Sequence, residues 1–211
     1  MNVALRAVMF DFGGVISSSP FEAFEHLEDA RGLPRGFIRQ VNATNPDENA
    51  WARLERGEID VAAFGDLWAA EARALGGHDL DGRLVLERLA GEIRPQMMEA
   101  IRRCRAAYKT ALLTNNFVRA EAELSSGVAD VYALFDAVLE SRVLGVRKPD
   151  PRFYELACEA LGVRPEESVF LDDLGINLKP ARALGMHTIK VDDPSEALAE
   201  LAHLTGLTLT G

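Results

Sequence analysis

The chain has 211 residues, 48% of them hydrophobic, with 23 basic and 33 acidic side chains and a formal net charge of −10. Such length and apolar content suit one α/β domain with a sizeable core and a smaller appendage. The acidic balance argues against nucleic acid, whose binding neutralises phosphates with Lys and Arg. A membrane span would need about 18 consecutive apolar residues, and no such run occurs.

Net charge also repels anionic substrates at long range, so a phosphate site here must be made electropositive locally. The first six residues lead straight into an apolar run, so no signal peptide is expected. Cys104 and Cys158 fall in helix-like segments without metal-ligand spacing and read as small buried hydrophobes. A reducing, cytoplasmic setting is the expectation.

Ala7 to Phe10 is a short apolar run that ends on Asp11 and is followed by Phe12, Gly13 and Gly14. The run predicts a strand buried on both faces, as in a parallel sheet. The glycines permit a sharp turn and close approach to a ligand. Asp11 would project from the carboxyl end of the strand, where open α/β sheets bind ligands.

From Phe21 to about Gly91 apolar residues recur at helical spacing, through Phe24, Leu27, Trp51, Leu54, Phe64, Leu67, Trp68, Leu84, Leu86 and Leu89. Gly32, Pro34, Pro46, Gly57, Gly76 and Gly77 punctuate the region, which predicts four or five helices inserted after the first strand. Trp51 and Trp68 are expected in the core of that bundle.

Strand and helix then alternate. The predicted strands end on Thr114, Asn115 and Asn116, on Glu140 and Ser141, on Asp172 and Asp173, and on Val191. Helices are predicted from about Pro95, from Pro151 to Gly162, after Gly175, and from Pro194 to Leu204. Alternation of this kind predicts a parallel, Rossmann-like sheet with right-handed crossovers. The domain expectation is a core of residues 1–16 and 93–211, with residues 17–92 forming a helical cap.

Three strand ends thus carry polar residues: Asp11, Thr114 with Asn115, and Asp172 with Asp173. A parallel sheet brings such ends to one edge. Three carboxylates there would repel one another unless a cation joined them, and hard oxygen ligands suit Mg²⁺. Lys148, one of only four lysines, lies in the loop before a helix on the same sheet. Together these groups read as a phosphate site.

The four stretches Asp11-Phe12-Gly13-Gly14-Val15, Leu113-Thr114-Asn115, Lys148-Pro149 and Phe170-Leu171-Asp172-Asp173 resemble, in that order, the motifs of haloacid dehalogenase-like (HAD) hydrolases. The helical insert resembles the C1-type cap of that superfamily. Residues 170–186, with Asn177-Leu178-Lys179-Pro180-Ala181-Arg182, are similar to the N-terminal phosphatase domain of soluble epoxide hydrolases.

The resemblance implies a Mg²⁺-dependent phosphatase of small phosphorylated metabolites, monomeric or homodimeric. Asp11 would attack phosphorus to give an aspartyl-phosphate. Mg²⁺ would be held by Asp11, the Gly13 carbonyl and Asp173. Thr114, the Asn115 N–H and Lys148 would bind the phosphoryl group, while Asp172 and Asn177 would orient Lys148 and the metal's waters. One departure stands out: Gly13 occupies the position where phosphatases of this family carry a second Asp, their general acid and base. Two alternatives follow, a metal-independent 2-haloacid dehalogenase and a phosphate-binding module without catalysis. Ser17, Ser18, Phe21, His26 and Phe117 are the candidates for substrate specificity.

Overall fold

The computed structural model describes residues 3–77, 80–89, 91–116 and 126–209. Five strands form one all-parallel sheet: β1 (Ala7–Phe10), β2 (Lys109–Thr114), β3 (Ala137–Glu140), β4 (Ser168–Asp172) and β5 (His187–Lys190), in the spatial order β3-β2-β1-β4-β5. Strand β1 is central and wholly buried because its side chains alternate between two cores. Val8 and Phe10 join a cluster with Met97, Ile101, Val131, Leu198 and Leu201 on one face. Ala7 and Met9 join Phe153, Tyr154, Ala157, Leu178 and Ala181 on the other.

Helices α1 (Phe21–Arg31), α2 (Phe37–Ala43), α3 (Ala50–Glu55), α4 (Val61–Ala74) and α5 (Gly82–Glu87) follow β1. They share a third cluster built on Phe24, Phe37, Ile38, Leu54, Phe64, Trp68 and Val85. Trp68 is fully buried as expected, whereas Trp51 is only partly buried at the cluster's margin. The chain enters and leaves this helical region side by side. Ser17 and Ile93 form an antiparallel bridge, the Ser18 N–H donates to Glu92 O at 2.9 Å and the Arg94 N–H to Ile16 O at 2.8 Å.

The second half supplies α6 (Pro95–Arg105), α7 (Ser126–Tyr132), α8 (Ser141–Leu144), α9 (Pro151–Leu161) and α10 (Gly175–Ala183) between strands, and α11 (Pro194–Thr205) after the last one. Ser141 opens α8 instead of extending β3, and α7 has no counterpart in the sequence reading. Both cysteines are buried and free. No helix among the described residues is long and apolar enough to cross a membrane.

Candidate active site

The chemistry-bearing side chains meet at the carboxyl edge of the sheet. Phe10 pairs in register with Leu112 on β2 and Leu171 on β4, so Asp11 stands level with Asp172 and one step short of Thr114. The Asp11 N–H donates to Leu171 O at 2.9 Å, which ties the strand end to β4. The chain then makes one wide turn, Phe12–Ile16. Gly14 lies at φ +77°, and a Cβ there would fall 2.2 Å from Asp173 Oδ2. Glycine is therefore required twice at this position, by conformation and by the close approach of that carboxylate. Gly13 is different: its φ of −72° suits any residue, and a Cβ would meet nothing within 4 Å.

Lys148 reaches in from the loop before α9 and is 1% exposed. Its Nζ lies 2.7 Å from both Asp11 Oδ1 and Asp172 Oδ2. Asp172 is itself fully buried and further held by the Asn177 amide, at 3.0 Å to each oxygen, and by the Leu174 N–H at 2.8 Å. Tyr154 Oη donates to Asn177 O at 2.6 Å and so fixes the start of α10 beneath Asp172. Thr114 ends β2 and is buried beside this group. The Asn115 amide exchanges two hydrogen bonds of 2.9 Å with the Lys148 backbone, joining the loop after β2 to the loop that carries the lysine. All eight residues singled out at this edge are thus brought to one end of the sheet.

Asp11, Asp172 and Asp173 each offer an oxygen within 4.8 Å of the others. Lys148 pairs with Asp11 and Asp172, and the Arg94 guanidinium acts on half-buried Asp173, which still leaves three carboxylates against two cations in a largely buried place, and that is costly. The carboxyl groups respond to that excess. Burial pushes the Asp11 carboxyl well above its ordinary value, with Lys148 opposing the shift and Asp172 and Asp173 adding to it. Burial and Asp172 raise Asp173 to about 6. Burial alone would depress Lys148, but Asp11 and Asp172 outweigh it and hold the ammonium above its ordinary range. A hard divalent cation matches both the oxygen donors and the missing charge.

Arg94 was not among the predicted site residues. Its Nη1 donates to Gly14 O at 2.6 Å and Val15 O at 2.9 Å, fixing the turn that follows Asp11. Glu55 and Arg147 were also missed, although Glu55 is a carboxylate in the apolar stripe of Trp51 and Leu54, which is a sequence signal in itself. Of the proposed specificity residues, Ser17 Oγ donates to Ser18 O at 3.2 Å and Ser18 Oγ accepts the Glu92 N–H at 3.0 Å, both inside the connection to the helices. Phe21 lies under the Arg39 guanidinium at 4.3 Å, and His26 is exposed. Phe117 lies outside the described residues.

A family profile described as haloacid dehalogenase-like hydrolase matches residues 5–185, and the chain belongs to that family of hydrolases. It is 39% identical over 97% of its length to mouse acyl-CoA dehydrogenase family member 10, and 32% identical over 98% to pig bifunctional epoxide hydrolase 2. It spans 19% and 40% of those longer proteins. Two matches of similar size to the chain carry different names. Phosphatase MT3486 of Mycobacterium tuberculosis is 31% identical over 90% of this chain and 88% of its own. (S)-2-haloacid dehalogenase 4A of Burkholderia cepacia is 31% identical over 95% and 90%. Among solved structures, a HAD family enzyme of Bacteroides thetaiotaomicron in complex with magnesium and inorganic phosphate shares the fold at a TM-score of 0.61. It is 22% identical, covering 92% of this chain and 98% of that one.

Proposed function

We propose that this hydrolase is a Mg²⁺-dependent phosphatase of small phosphate monoesters, with the helices α1–α5 acting as a cap over its site. The observation that carries the reading is the cluster of Asp11, Asp172 and half-buried Asp173, whose three carboxylates exceed the two cations beside them, Lys148 on the first two and Arg94 acting on the third. Asp11, Asp173 and the Gly13 carbonyl would hold Mg²⁺, which supplies Lewis-acid stabilisation of the phosphoryl oxygens when bound. Asp11 Oδ attacks phosphorus, the ester P–O bond breaks with its electron pair going to the ester oxygen, and that oxygen takes a proton from solvent water to leave as the alcohol. Water then attacks the aspartyl-phosphate, releasing inorganic phosphate and restoring Asp11. Thr114, the Asn115 N–H and Lys148 bind the phosphoryl oxygens, where preorganised donors are worth most. Asp172, clamped by Asn177, aims Lys148.

A metal-free dehalogenase is the second reading, favoured by the dehalogenase relative and by the same Asp11–Lys148 pair. Asp173 speaks against it, because a further carboxylate beside Asp11 and Asp172 would repel a haloacid carboxylate. Phosphate release from a panel of phosphorylated metabolites and an aryl phosphate, with Mg²⁺ or a chelator, separates the two, with halide release from a 2-haloacid as the other arm. Activity on phosphates that the chelator abolishes is expected. Metal-independent halide release with no phosphate release would overturn the phosphatase.

The metal assignment has a readout without turnover. Asp173 titrates at about 6 when folded against an ordinary 3.8. Between those values the folded chain holds more protons than the unfolded one, so this group's contribution to stability falls as pH rises through the window and is lowest above it. Mg²⁺ should therefore raise Tm more near about pH 8 than near about pH 5. Asp173→Ala should lose most of that response, and an unchanged response would defeat the assignment.

A further inference from the structure

Among the described residues, the helices reach the sheet's site through the Glu55 carboxylate. Glu55, the last residue of α3, has its side chain 9% exposed, facing an Arg147 that is 17% exposed. Glu55 Oε2 accepts Arg147 Nε at 2.6 Å and Asn115 Nδ2 at 3.2 Å, and Oε1 accepts Trp51 Nε1 at 2.9 Å. The backbone around it is held as well. Ser141 Oγ donates to Glu55 O at 2.5 Å and accepts the Asn116 N–H at 3.0 Å, while Arg147 Nη1 donates to Pro46 O at 3.0 Å. Two residues on, Gly57 lies at φ +72°, where a Cβ would stand 2.9 Å from Arg142 O. The turn after α3 is therefore pressed against the segment that follows β3.

Two features set this contact apart from ordinary packing. A largely buried ion pair is a poor source of stability, because desolvation offsets most of its attraction and apolar side chains would hold the surfaces as well. Its partners are also specific: Asn115 follows Thr114, Arg147 precedes Lys148, and the Asn115 amide already binds the Lys148 backbone. Glu55 is thus hydrogen-bonded to both loops that carry the phosphate-binding groups.

We infer that Glu55 is a positioning residue. Docked, it fixes Arg147 and Asn115 and through them the set of Thr114 and Lys148; undocked, it leaves both loops loose. The inference rests on the phosphatase reading for its kinetic consequence, but not for its structural one.

The test uses the full chain as wild type, Glu55→Gln and Glu55→Ala. Misplacing reacting groups by about 1 Å can cost about 100-fold in rate. Glu55→Ala should accordingly lower kcat for an aryl phosphate with Mg²⁺ by about 10- to 100-fold, with KM changed less than about threefold. Glu55→Gln keeps the shape and one acceptor and should recover part of that loss. Hydrogen exchange without substrate should speed up in residues 113–116 and 146–149 of Glu55→Ala but not in α9 or α11. Where Glu55→Ala fails to fold, the same two measurements on Glu55→Gln decide. A lowered Tm with unchanged kcat and unchanged exchange in the two loops is the signature of a merely structural clamp and would overturn the inference. A wild-type chain without phosphate release would sink the phosphatase reading alone, and the exchange result would still decide the role of Glu55.

Discussion

The sheet edge and the helical region both bury charged side chains, but to opposite ends. Apart from Glu55, which faces the site, the fully buried carboxylate of the helices serves the backbone. Glu28 is fully buried and accepts the Gly36 and Ile38 N–H groups at 2.7 and 2.8 Å, so both oxygens are satisfied at the start of α2. Asn49 caps α3 by accepting the Ala52 N–H, and its amide donates to Asn42 O and Thr44 O. Such groups complete hydrogen bonds that helix ends leave open. At the sheet edge Asp11 and Asp172 share one ammonium with Asp173 beside them, and Asp11 and Asp173 both have carboxyls raised by burial and by neighbouring carboxylates. Buried charge that is fully satisfied holds a fold together; buried charge left short of a partner is poised for a ligand.

The largest effect expected from this contrast is at Asp11. Asp11→Asn should reduce phosphate release to background, since an amide cannot form the aspartyl-phosphate. Its Tm should not fall below that of the wild type, because the substitution removes one of the crowded charges. A thermal melt beside the assay checks both parts, and a clear loss of Tm would mean that Asp11 supports the fold as Glu28 does.

Glu28→Ala should show the reverse pattern. Leaving the buried Ile38 N–H and the part-buried Gly36 N–H without acceptors costs about 2–6 kcal/mol, since each carries a penalty of about 1–3. Denaturant titration should report that loss, while kcat per folded molecule stays within about twofold. A collapse of kcat with stability intact would erase the distinction between the two regions.

The third effect concerns Gly13, where a side chain has room. A positioned acid or base contributes about 10²–10⁴-fold, and Gly13 supplies none. Hydrolysis of the aspartyl-phosphate should therefore limit turnover of an aryl phosphate, giving a rapid burst of phenol before the steady state. Gly13→Asp should shrink the burst by speeding the second step, since the open space at its Cβ leaves room for the side chain. Absence of a burst in the wild type, with equal rates for alkyl and aryl phosphates, would show that another group performs the proton transfer.

Much of the sheet edge was legible in the order of residues. Apolar runs ending on Asp11, Thr114 and Asp172 needed only the rule that parallel strands align their carboxyl ends. The limits of the strands were less clear. Asn115 and Asn116 read as an extension of β2, but Asn115 turns its amide onto the Lys148 backbone and leaves the ladder, as such side chains often do. Ser141 likewise leaves β3, and its hydroxyl bridges Glu55 O and the Asn116 N–H. Glu55 was visible as a charge on an apolar stripe, yet nothing within α3 names a partner 92 residues away.

By itself the sequence determined the strand–helix alternation, the helical region after β1, and the acids, threonine and lysine of the site, because these follow from local periodicity and from which residue ends each strand. Only the tertiary structure decided which glycine is obligatory, that Lys148 spans Asp11 and Asp172, and that α3 is joined to both phosphate-loop candidates through one carboxylate. Periodicity reports which face of an element is buried, whereas the pairing of charges depends on distances between segments far apart in the chain, and those exist only once the cores on both faces of the sheet have closed.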